Sequence, residues 1–346
     1  MIILKSHHLL KILKCIAYRN FVNQATTMKN SVILNPWFLT GFADAESCFT
    51  LSIYRDDTKT MGWRVQVIFT IELHEKDISL LEMIKNTFGG AGKIYSPRMG
   101  SKQYRVTSIK ELQVIINHFD KYPLITKKRT DYELFKVAIS LIDNKEHLIS
   151  EGLDKLVSIR AAMNLGLTDA LKTAFPNVIP FSKIDLWESD IKDPNWLAGF
   201  SSGEGCFFIN IIKSKTSKLG ETVQLNFNIT QHSRDELLIK SLVEYFGCGK
   251  VYLHPDKVSF NISSLSELNS KLAPFFEKYP IRGVKFLDYM DFLNPETNPD
   301  LYFAVYKGET LVFQSQVMRD LDLEAMEKFK MGEGEVVDLG TFLVEG

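Results

Sequence analysis

Apolar and polar residues alternate most clearly at 222–230, where five uncharged hydrogen-bonding residues are interleaved with four apolar ones. A period of two places each set on its own face of a β-strand, so this stretch predicts a strand with one apolar and one polar face. A second strand of this kind is expected at 64–72. An apolar, small-residue run at 37–46 predicts a buried helix that begins near Pro36.

The chain contains a long internal repeat. LTGFADAESCF at 39–49 matches LAGFSSGEGCF at 197–207, and KYPLITKKRTDY at 121–132 matches KYPIRGVKFLDY at 278–289. The first pair of segments is 158 residues apart and the second pair is 157 apart. A repeat of this length indicates a duplicated domain, so we expect pseudo-twofold symmetry with paired residues meeting at a central axis.

Each copy predicts the order helix, strand pair, helix, strand pair, helix, which is an α+β arrangement. The boundaries divide the chain into five segments: a basic leader (1–34), a first unit (35–144), a linker (145–195), a second unit (196–294) and an acidic C-terminal extension (295–346). Within the linker a helix is expected at 150–163, and within the extension a strand-like stretch is expected at 301–313.

The formal net charge of −1 conceals an uneven distribution. Residues 297–346 contain ten acids and four bases, a balance of −6, which leaves +5 for residues 1–296. The repeated body is therefore mildly basic, which is compatible with nucleic-acid binding. The four cysteines form no CxxC pair, which argues against a zinc site or a disulfide framework, and no apolar run reaches membrane-spanning length.

The first 43 residues contain no Asp or Glu but carry five bases. This composition is typical of a mitochondrial transit segment, which would place the protein in the mitochondrion. A disordered basic leader, or the remnant of an upstream fused reading frame, has the same composition, and both interpretations are open.

Small residues on the motif helices, including Gly41 and Gly199, would let the two helices approach closely. Glu46 and Glu204 would then emerge side by side, where two carboxylates repel unless a cation lies between them. Oxygen ligands of this kind suit Mg²⁺, and two carboxylates with hard metals are an arrangement for phosphodiester hydrolysis. An ordinary helix-end acid is the simpler interpretation of either glutamate alone, but their repetition in matching contexts favours chemistry.

These motifs resemble those of the LAGLIDADG homing endonucleases, in the monomeric two-repeat form of the fungal mitochondrial intron-encoded type. The similarity covers about 35–293 and includes both KYP segments. It implies an α+β fold of two pseudo-symmetric αββαββα units, each with a four-stranded antiparallel sheet, joined at a central two-helix interface into a DNA-binding saddle. It also implies a metal-dependent enzyme that cuts both strands of a long, asymmetric double-stranded DNA target and leaves short 3′ overhangs.

The resemblance also assigns site residues. The implied metal site comprises Glu46, Glu204, Ala45 and Gly203, with Mg²⁺ as the expected ion, Mn²⁺ able to substitute, and Ca²⁺ supporting binding without cleavage. The implied catalytic residues are Glu46, Glu204, Lys128, Lys285, Gln66 and Gln224. A base-reading role for the glutamines and a solvated helix position for the lysines are the open alternatives.

The sequence departs from the family pattern at two positions. Ser47 stands where the family usually has glycine, directly after the first acid, and Ser202 stands where the second motif usually has aspartate. Neither change removes a metal-binding carboxylate. Ser47 adds a side chain where the helix must end and cross its partner, so we expect it to displace the first site slightly.

Polar strand faces predict a DNA-binding surface, because Asn and Gln read adenine edges, Arg and Lys read guanine, and paired strands fit the major groove. The expected DNA-binding residues of the first unit are Ser52, Tyr54, Arg64, Gln66, Ile68, Thr70, Lys93, Tyr95, Arg98, Lys102, Gln103, Arg105 and Thr107. Those of the second unit are Asn210, Gln224, Asn226, Asn228, Thr230, Lys250, Tyr252, His254, Lys257, Ser259 and Asn261. A merely solvated sheet face would carry more Lys and Glu than this surface does.

The main functional prediction is a site-specific DNA endonuclease that acts as a monomer without a membrane partner. An RNA maturase that helps its host intron fold is an alternative on the same scaffold, and a catalytically silent DNA-binding protein is another. His74 and His232 invite a metal-ligand interpretation, but capping of the following helix is the stronger expectation. For Cys48 and Cys206, buried packing is expected.

Overall fold

The first repeat folds as its pattern predicts in a computed structural model that describes residues 32–183, 190–213, 215, 221–293, 305–307 and 310–313. Its elements are α1 (Pro36–Glu46), β1 (Ser47–Arg55), β2 (Trp63–His74), α2 (Ile78–Thr87), β3 (Lys93–Tyr95), β4 (Ser101–Val106), α3 (Ile109–Lys121) and α4 (Lys128–Asp143). Two further helices follow in the expected linker, α5 (Ser150–Ala162) and α6 (Asp169–Ala174). The basic leader lies outside the described residues up to residue 31.

The second repeat has the same order of elements. They are α7 (Pro194–Glu204), β5 (Gly205–Lys213), β6 (Glu221–His232), α8 (Glu236–Phe246), β7 (Lys250–Leu253), β8 (Lys257–Ile262), α9 (Leu265–Glu267), α10 (Ala273–Lys278) and α11 (Lys285–Leu293). A π-helical segment, Leu268–Leu272, joins α9 to α10. Each β2–α2 or β6–α8 junction contains a short 3₁₀ turn, Glu75–Asp77 or Ser233–Asp235.

The strands form two four-stranded antiparallel sheets with the same topology, β1-β2-β4-β3 and β5-β6-β8-β7. Strand β1 pairs with β2 from Ser47 opposite Ile71 to Arg55 opposite Trp63, and β5 pairs with β6 in the equivalent register. Alternation then places Phe69 and Phe227 in the two cores, both with no exposed surface. The predicted α+β fold of two matching units is therefore confirmed.

Helices α1 and α7 cross in close contact at the boundary between the units. A Cβ built on Gly41 would lie 1.9 Å from the carbonyl oxygen of Trp196, and one built on Gly199 would lie 2.0 Å from that of Phe38. Only glycine allows backbones to approach so closely, so the small residues have the packing role that the sequence predicts. The reciprocal contacts are also what a pseudo-twofold axis between the helices requires.

Residues 145–195 do more than connect the two units. Helix α5 buries Leu153, Leu156, Val157 and Ile159 in the same hydrophobic cluster as α1 and the first sheet. Leu171 of α6 joins that cluster. The expected helix at 150–163 is thus present, and its apolar side extends the core of the first unit.

His74 and His232 act as helix caps, as expected. The Nδ1 atom of His74 accepts a hydrogen bond from the backbone N–H of Lys76 at 3.2 Å, and that of His232 accepts one from Arg234 at 3.1 Å. Each imidazole satisfies a backbone donor at the start of a 3₁₀ turn, where no carbonyl is available within the helix.

In the C-terminal extension, strands β9 (Val305–Lys307) and β10 (Thr310–Phe313) pair in antiparallel fashion within the expected strand-like stretch. The extension otherwise lies outside the described residues. In the part of the chain that is described, no helix has the length and apolar character needed to cross a bilayer.

The helix crossing makes Gly41→Ala a destabilising substitution. The added methyl group must separate two packed backbones, so we expect the free energy of unfolding to fall by about 2 kcal/mol or more. Urea denaturation measures this loss. Gly89→Ala is the matched control: a Cβ there meets no atom within 4 Å, and its left-handed backbone alone costs about 1 kcal/mol. Equal losses in the two variants would contradict the proposed packing role.

Candidate active site at the helix crossing

The two glutamates lie at the C-terminal ends of the crossing helices. A Cβ built on Gly203 would lie 2.3 Å from Cβ of Ala45 and 3.1 Å from Cγ of Glu46. The last turns of α1 and α7 are therefore in contact, and Glu46 and Glu204 emerge beside each other. The predicted juxtaposition of the two carboxylates follows directly from the glycine-mediated approach further up the helices.

Both carboxyl groups are partly buried, and burial raises the pKa of Glu46 and of Glu204 above the usual value. The charge of Glu46 raises the pKa of Glu204 further. Lys128 and Lys285 oppose this shift at both carboxylates. Two acids and two bases thus form one half-buried cluster, in which each charge depends on its neighbours for compensation.

The two lysines are held at the helix ends by backbone carbonyls. Lys128 donates from Nζ to the carbonyl oxygens of Ala43 at 3.0 Å and Ala45 at 3.1 Å, and Lys285 donates to the carbonyl oxygen of Gly203. Burial lowers the pKa of both ammonium groups, whereas the nearby glutamates raise it. The lysines are therefore not solvated surface residues, and the structure brings them to the carboxylates as predicted.

The hydroxyl of Ser47 makes a hydrogen bond within the last turn of α1. Its Oγ donates to the carbonyl oxygen of Ala43 at 2.6 Å, so the hydroxyl satisfies a carbonyl at the C-terminus of α1. In the second unit the equivalent residue is Gly205, where a Cβ would lie 2.4 Å from the carbonyl oxygen of Ser201. A side chain at that position of the second unit would require a shift, and the backbone angles of Ser47 and Gly205 differ by about 20°, so the displacement of the first site by Ser47 stays a prediction.

Asp44 is a site residue that the sequence analysis missed. This buried carboxylate accepts hydrogen bonds from Trp196 Nε1 at 2.8 Å, from Ile125 N at 3.1 Å and from both the N–H and the hydroxyl of Thr126. It therefore ties α1 to the second unit and to the loop that leads into Lys128. Its position in the motif, on an otherwise apolar helix, was the available signal.

Ser202 occupies the position equivalent to Asp44 and makes fewer contacts. Its Oγ donates to the carbonyl oxygen of Ala198 at 2.8 Å and accepts from the backbone N–H of Arg282 at 3.1 Å. The loop that leads into Lys285 is thus held by a neutral hydroxyl where the first unit uses a carboxylate. The two halves of the site share the same backbone geometry. The hydrogen bonds that hold the lysine loop are stronger in the first unit, because their acceptor is charged there and neutral in the second.

Gln231 is a second residue that the sequence analysis missed, and it donates a hydrogen bond to the Glu204 carboxylate. Its side chain leaves β6 on the same core-facing side as Phe227 and Ile229, so a polar residue at this position was a signal that the sequence offered.

Gln66 and Gln224 face the opposite side of their strands and pair with Ser52 and Asn210. These pairs lie five positions along β1 and β5, or about 17 Å, from the carboxylate-bearing ends. A catalytic role for Gln66 and Gln224 is therefore not supported.

The outer face of the first sheet, which is the side turned away from the core, carries most of the expected DNA-binding residues of that unit. The register places these residues on the outer face: Ser52, Tyr54, Arg64, Gln66, Ile68, Thr70, Lys93, Tyr95, Gln103 and Arg105. Thr107 directly follows β4, and Arg98 lies in the β3–β4 turn. Arg64 and Arg98 are paired with acids, Asp56 at 2.6 Å and Glu72 at 3.1 Å.

Two expectations for this sheet require correction. Lys102 pairs with Leu73 and has the parity of the buried Tyr104, so its side chain leaves the sheet on the core side, where Nζ donates to Ser96. Ile68 is on the outer face but only 8% exposed, so it has little surface to offer a ligand. Cys48 lies on that face too, opposite Thr70, and is exposed rather than buried because outer and inner positions alternate.

The second sheet has a more uniform outer face. Its register brings together the expected residues Asn210, Gln224, Asn226, Asn228, Thr230, Lys250, Tyr252, Lys257, Ser259 and Asn261. His254 follows β7, and Cys206 lies on this face and is exposed, contrary to expectation. Asn226 and Ser259 are only 2% and 7% exposed, so they support the layer rather than present surface. Along β6 this face carries Gln224, Asn226, Asn228 and Thr230, the uncharged hydrogen-bonding row that the sequence predicts.

The donor set at the helix crossing fits a hard divalent cation. The described residues contain no cluster of three or more His, Cys, Asp or Glu side chains that could hold a metal ion, so a cation here would depend on fewer side chains and on backbone oxygens. The available ligands are two carboxylates, from Glu46 and Glu204, and the carbonyl oxygens of Ala45 and Gly203, which currently accept from lysine ammonium groups. Mg²⁺ is usually bound by a few protein oxygens and several water molecules. The ammonium groups of Lys128 and Lys285 already lie at these carbonyl oxygens, which shows that the oxygens attract positive charge.

The buried contacts of Asp44 predict a large loss of stability on truncation. Asp44→Ala leaves the Trp196 indole and two backbone donors without an acceptor, so we expect the free energy of unfolding to fall by about 3 kcal/mol. Ser202→Ala is the matched control and removes one neutral hydroxyl, at a cost of about 1 kcal/mol. Chemical denaturation of both variants measures the difference. A loss for Asp44→Ala no larger than that of the control would show that the carboxylate contributes little.

Comparison with known proteins places this architecture in one family. The model of the LAGLIDADG endonuclease family matches residues 39–139 and 197–294, which are the two repeats. Probable intron-encoded endonuclease 3 of Neurospora crassa is 40% identical over 276 residues, which cover 79% of this chain and 52% of that protein. Probable intron-encoded endonuclease 2 of the same fungus is 39% identical, with 75% and 59% covered. The chain thus spans a little over half the length of these relatives.

Solved structures agree with the family match. The I-SmaMI LAGLIDADG homing endonuclease bound to cleaved DNA superposes with a TM-score of 0.74 at 40% sequence identity, over 75% of this chain and 88% of that one. The LAGLIDADG meganuclease I-CpaMI bound to uncleaved DNA gives a TM-score of 0.74 at 44% identity, over 75% and 90%. Sequence repeats, sheet topology and helix crossing lead to the same conclusion: this chain belongs to the LAGLIDADG endonuclease family.

Proposed function

We propose that the protein is a site-specific endonuclease that cleaves both strands of a double-stranded DNA target. One observation carries the proposal: Glu46 and Glu204 emerge together from two crossing helices, and Lys128 and Lys285 lie against the same helix ends. Two carboxylates and two ammonium groups in one half-buried cluster suit a reaction at a phosphate. Family membership supports the same activity.

The outer faces of the two sheets are the proposed DNA-binding surface. They carry amide, hydroxyl and basic side chains, which recognise base edges and phosphates. The two faces differ in composition: the first has arginines such as Arg105, and the second has a row of asparagines such as Asn228. We therefore propose a long target whose two halves differ in sequence.

Each proposed catalytic group has a defined part in the reaction. Glu46 and Glu204 would hold the divalent cation, with the carbonyl groups of Ala45 and Gly203 beside them. When bound, such a cation lowers the pKa of a water molecule and stabilises charge on the phosphate. Lys128 and Lys285 would neutralise negative charge that develops at the scissile phosphates. Mg²⁺ is the proposed ion, with Mn²⁺ as a substitute and Ca²⁺ supporting binding alone.

The setting of the reaction is also proposed from these relatives. They are named as intron-encoded fungal proteins, one of them located in ND4 intron 1 of Podospora anserina. We propose a mitochondrial location and a target at the intron-less insertion site of a host gene. A monomer is sufficient, because one chain contributes both glutamates and both sheets.

A cleavage assay on DNA that spans the insertion site tests the proposal. The native chain should make staggered double-strand cuts in Mg²⁺ and should bind without cutting in Ca²⁺. Glu46→Gln and Glu204→Gln should each reduce double-strand cleavage by at least about 100-fold, because each removes a charge that acts on the reaction itself. DNA affinity should stay within a few-fold of the native value, since the sheet faces are unchanged.

A conservative change on the DNA-binding face provides the control. Asn228→Gln alters a side chain on the outer face of β6 and should affect affinity more than the rate of the bound complex. Tight binding by the native chain without cutting in any divalent metal would contradict the endonuclease proposal. Binding and splicing assays with intron RNA would then distinguish the maturase alternative from the catalytically silent DNA-binding protein.

A further inference from the structure

Asp77 and Asp235 stand where a helix cap is expected, yet neither caps its own helix. They are the N-cap residues of α2 and α8, and an N-cap aspartate normally accepts a hydrogen bond from the second or third N–H of the helix that follows. Neither side chain makes such a bond here. Their positions in the two repeats are equivalent, so the departure occurs twice.

Both side chains instead reach into the other unit. Asp77 Oδ1, in the first unit, accepts from the backbone N–H of Val284 in the second unit at 2.7 Å. Asp235 Oδ1, in the second unit, accepts from the backbone N–H of Lys127 in the first unit at 2.7 Å. We call these two hydrogen bonds the cross-unit caps. The donors are separated from their acceptors by 207 and 108 positions in the chain.

Each cross-unit cap is located immediately before a catalytic lysine. Lys127 is the N-cap of α4, which begins with Lys128, and Val284 precedes Lys285, the first residue of α11. A carboxylate at a helix N-terminus satisfies a free N–H group and is attracted by the positive end of the helix dipole. The caps therefore fix where each lysine-bearing helix begins.

The packing around the caps shows that they are specific contacts. Asp235 is only 5% exposed, and its Oδ2 lies 3.6 Å from Nε of the neighbouring Arg234 while Oδ1 makes the cross-unit contact. On the other side, a Cβ built on Gly283 would lie 2.5 Å from Asp77 Oδ1, and Gly283 has a left-handed φ of +78°. Glycine there permits the aspartate of one unit to approach the backbone of the other.

We propose that Asp77 and Asp235 are positioning residues that place the catalytic lysines across the unit boundary. Asp77 sets the position of Lys285, and Asp235 sets the position of Lys128. The lysine ammonium groups lie on the carbonyl groups at the ends of α1 and α7, so a shift at the start of α4 or α11 moves them relative to the glutamates. The consequence for catalysis rests on the proposed endonuclease function.

The two lysines should not depend equally on these caps. The loop before Lys128 is also held by the buried Asp44 carboxylate, whereas the loop before Lys285 is held by the Ser202 hydroxyl. A second strong anchor makes Asp235 less essential than Asp77. Loss of the Asp77 cap should therefore have the larger effect.

Strand-resolved cleavage rates test the positioning role. Each strand of the DNA duplex carries its own fluorophore, and single-turnover rates are measured for Lys128→Met, Lys285→Met, Asp77→Ala and Asp235→Ala. Asp77→Ala should slow the strand that Lys285→Met slows most, and Asp235→Ala should slow the strand that Lys128→Met slows most. We expect about a tenfold or larger effect for Asp77→Ala, since a small misplacement of a catalytic group is costly.

Matched variants separate positioning from general damage. Asp77→Asn keeps the shape and an acceptor oxygen, so it should be affected less than Asp77→Ala. Asp169→Ala removes a fully exposed acid at the start of α6 and should leave both strand rates unchanged. Equal slowing of both strands by Asp77→Ala, or slowing of the strand that depends on Lys128, would overturn the proposal.

Hydrogen exchange tests the cross-unit caps without cleavage. In Asp77→Ala, backbone amides at 283–287 should exchange faster while those at 126–130 keep their native rates, and Asp235→Ala should give the reverse pattern. If the two variants show this crossed pattern but the native chain does not cut DNA, the caps are established and the endonuclease proposal is contradicted. Faster exchange confined to the variant's own helix, α2 or α8, would overturn the inference even if the native chain is an active nuclease.

Discussion

The contact of α1 with α7 through Gly41 and Gly199 determines how the two units meet and where the candidate site forms. Because each glycine lies against a backbone carbonyl of the other helix, the helices cross without side chains between them. The crossing determines where Ala45 meets Gly203, and hence where Glu46 and Glu204 emerge. It also places the two sheets on either side of one axis. The site is therefore a property of the interface between the units, since neither repeat contains it alone.

The two halves share a backbone arrangement, but three of their sequence differences near the carboxylates change hydrogen bonds. Asp44 corresponds to Ser202, Ser47 corresponds to Gly205, and Leu73 corresponds to Gln231. Each difference changes the hydrogen bonds around one glutamate or one lysine loop. The matching elements give the two halves the same geometry, and these differences make the surroundings of the two glutamates electrostatically unlike. The outer faces of the two sheets, which form the proposed DNA-binding surface, also differ in composition.

Much of this architecture could be predicted from the sequence because the signals are local or repeated. The period-two alternation predicted β6, and the run of small and apolar residues predicted α1. The repeat predicted that Glu46 and Glu204 lie side by side. The contacts that were missed join residues far apart in the chain, such as Asp44 with Trp196 and Asp77 with Val284. An aspartate at a helix start has the same local pattern whether it caps its own helix or another. Gln66 pairs with Ser52, about 17 Å along β1 from the carboxylate end, and the repeat alone does not reveal that distance.

The most direct test of the central claim is a crystal structure of the protein bound to its DNA target in Mn²⁺, with anomalous scattering used to locate the metal. We expect an anomalous peak at the helix crossing, within about 2.2 Å of a carboxylate oxygen of Glu46 or Glu204 and next to a phosphate. Both glutamates should contribute ligands across the pair of scissile phosphates. Mn²⁺ bound elsewhere, with Lys128 and Lys285 still covering the carbonyls of Ala45 and Gly203, would contradict that claim.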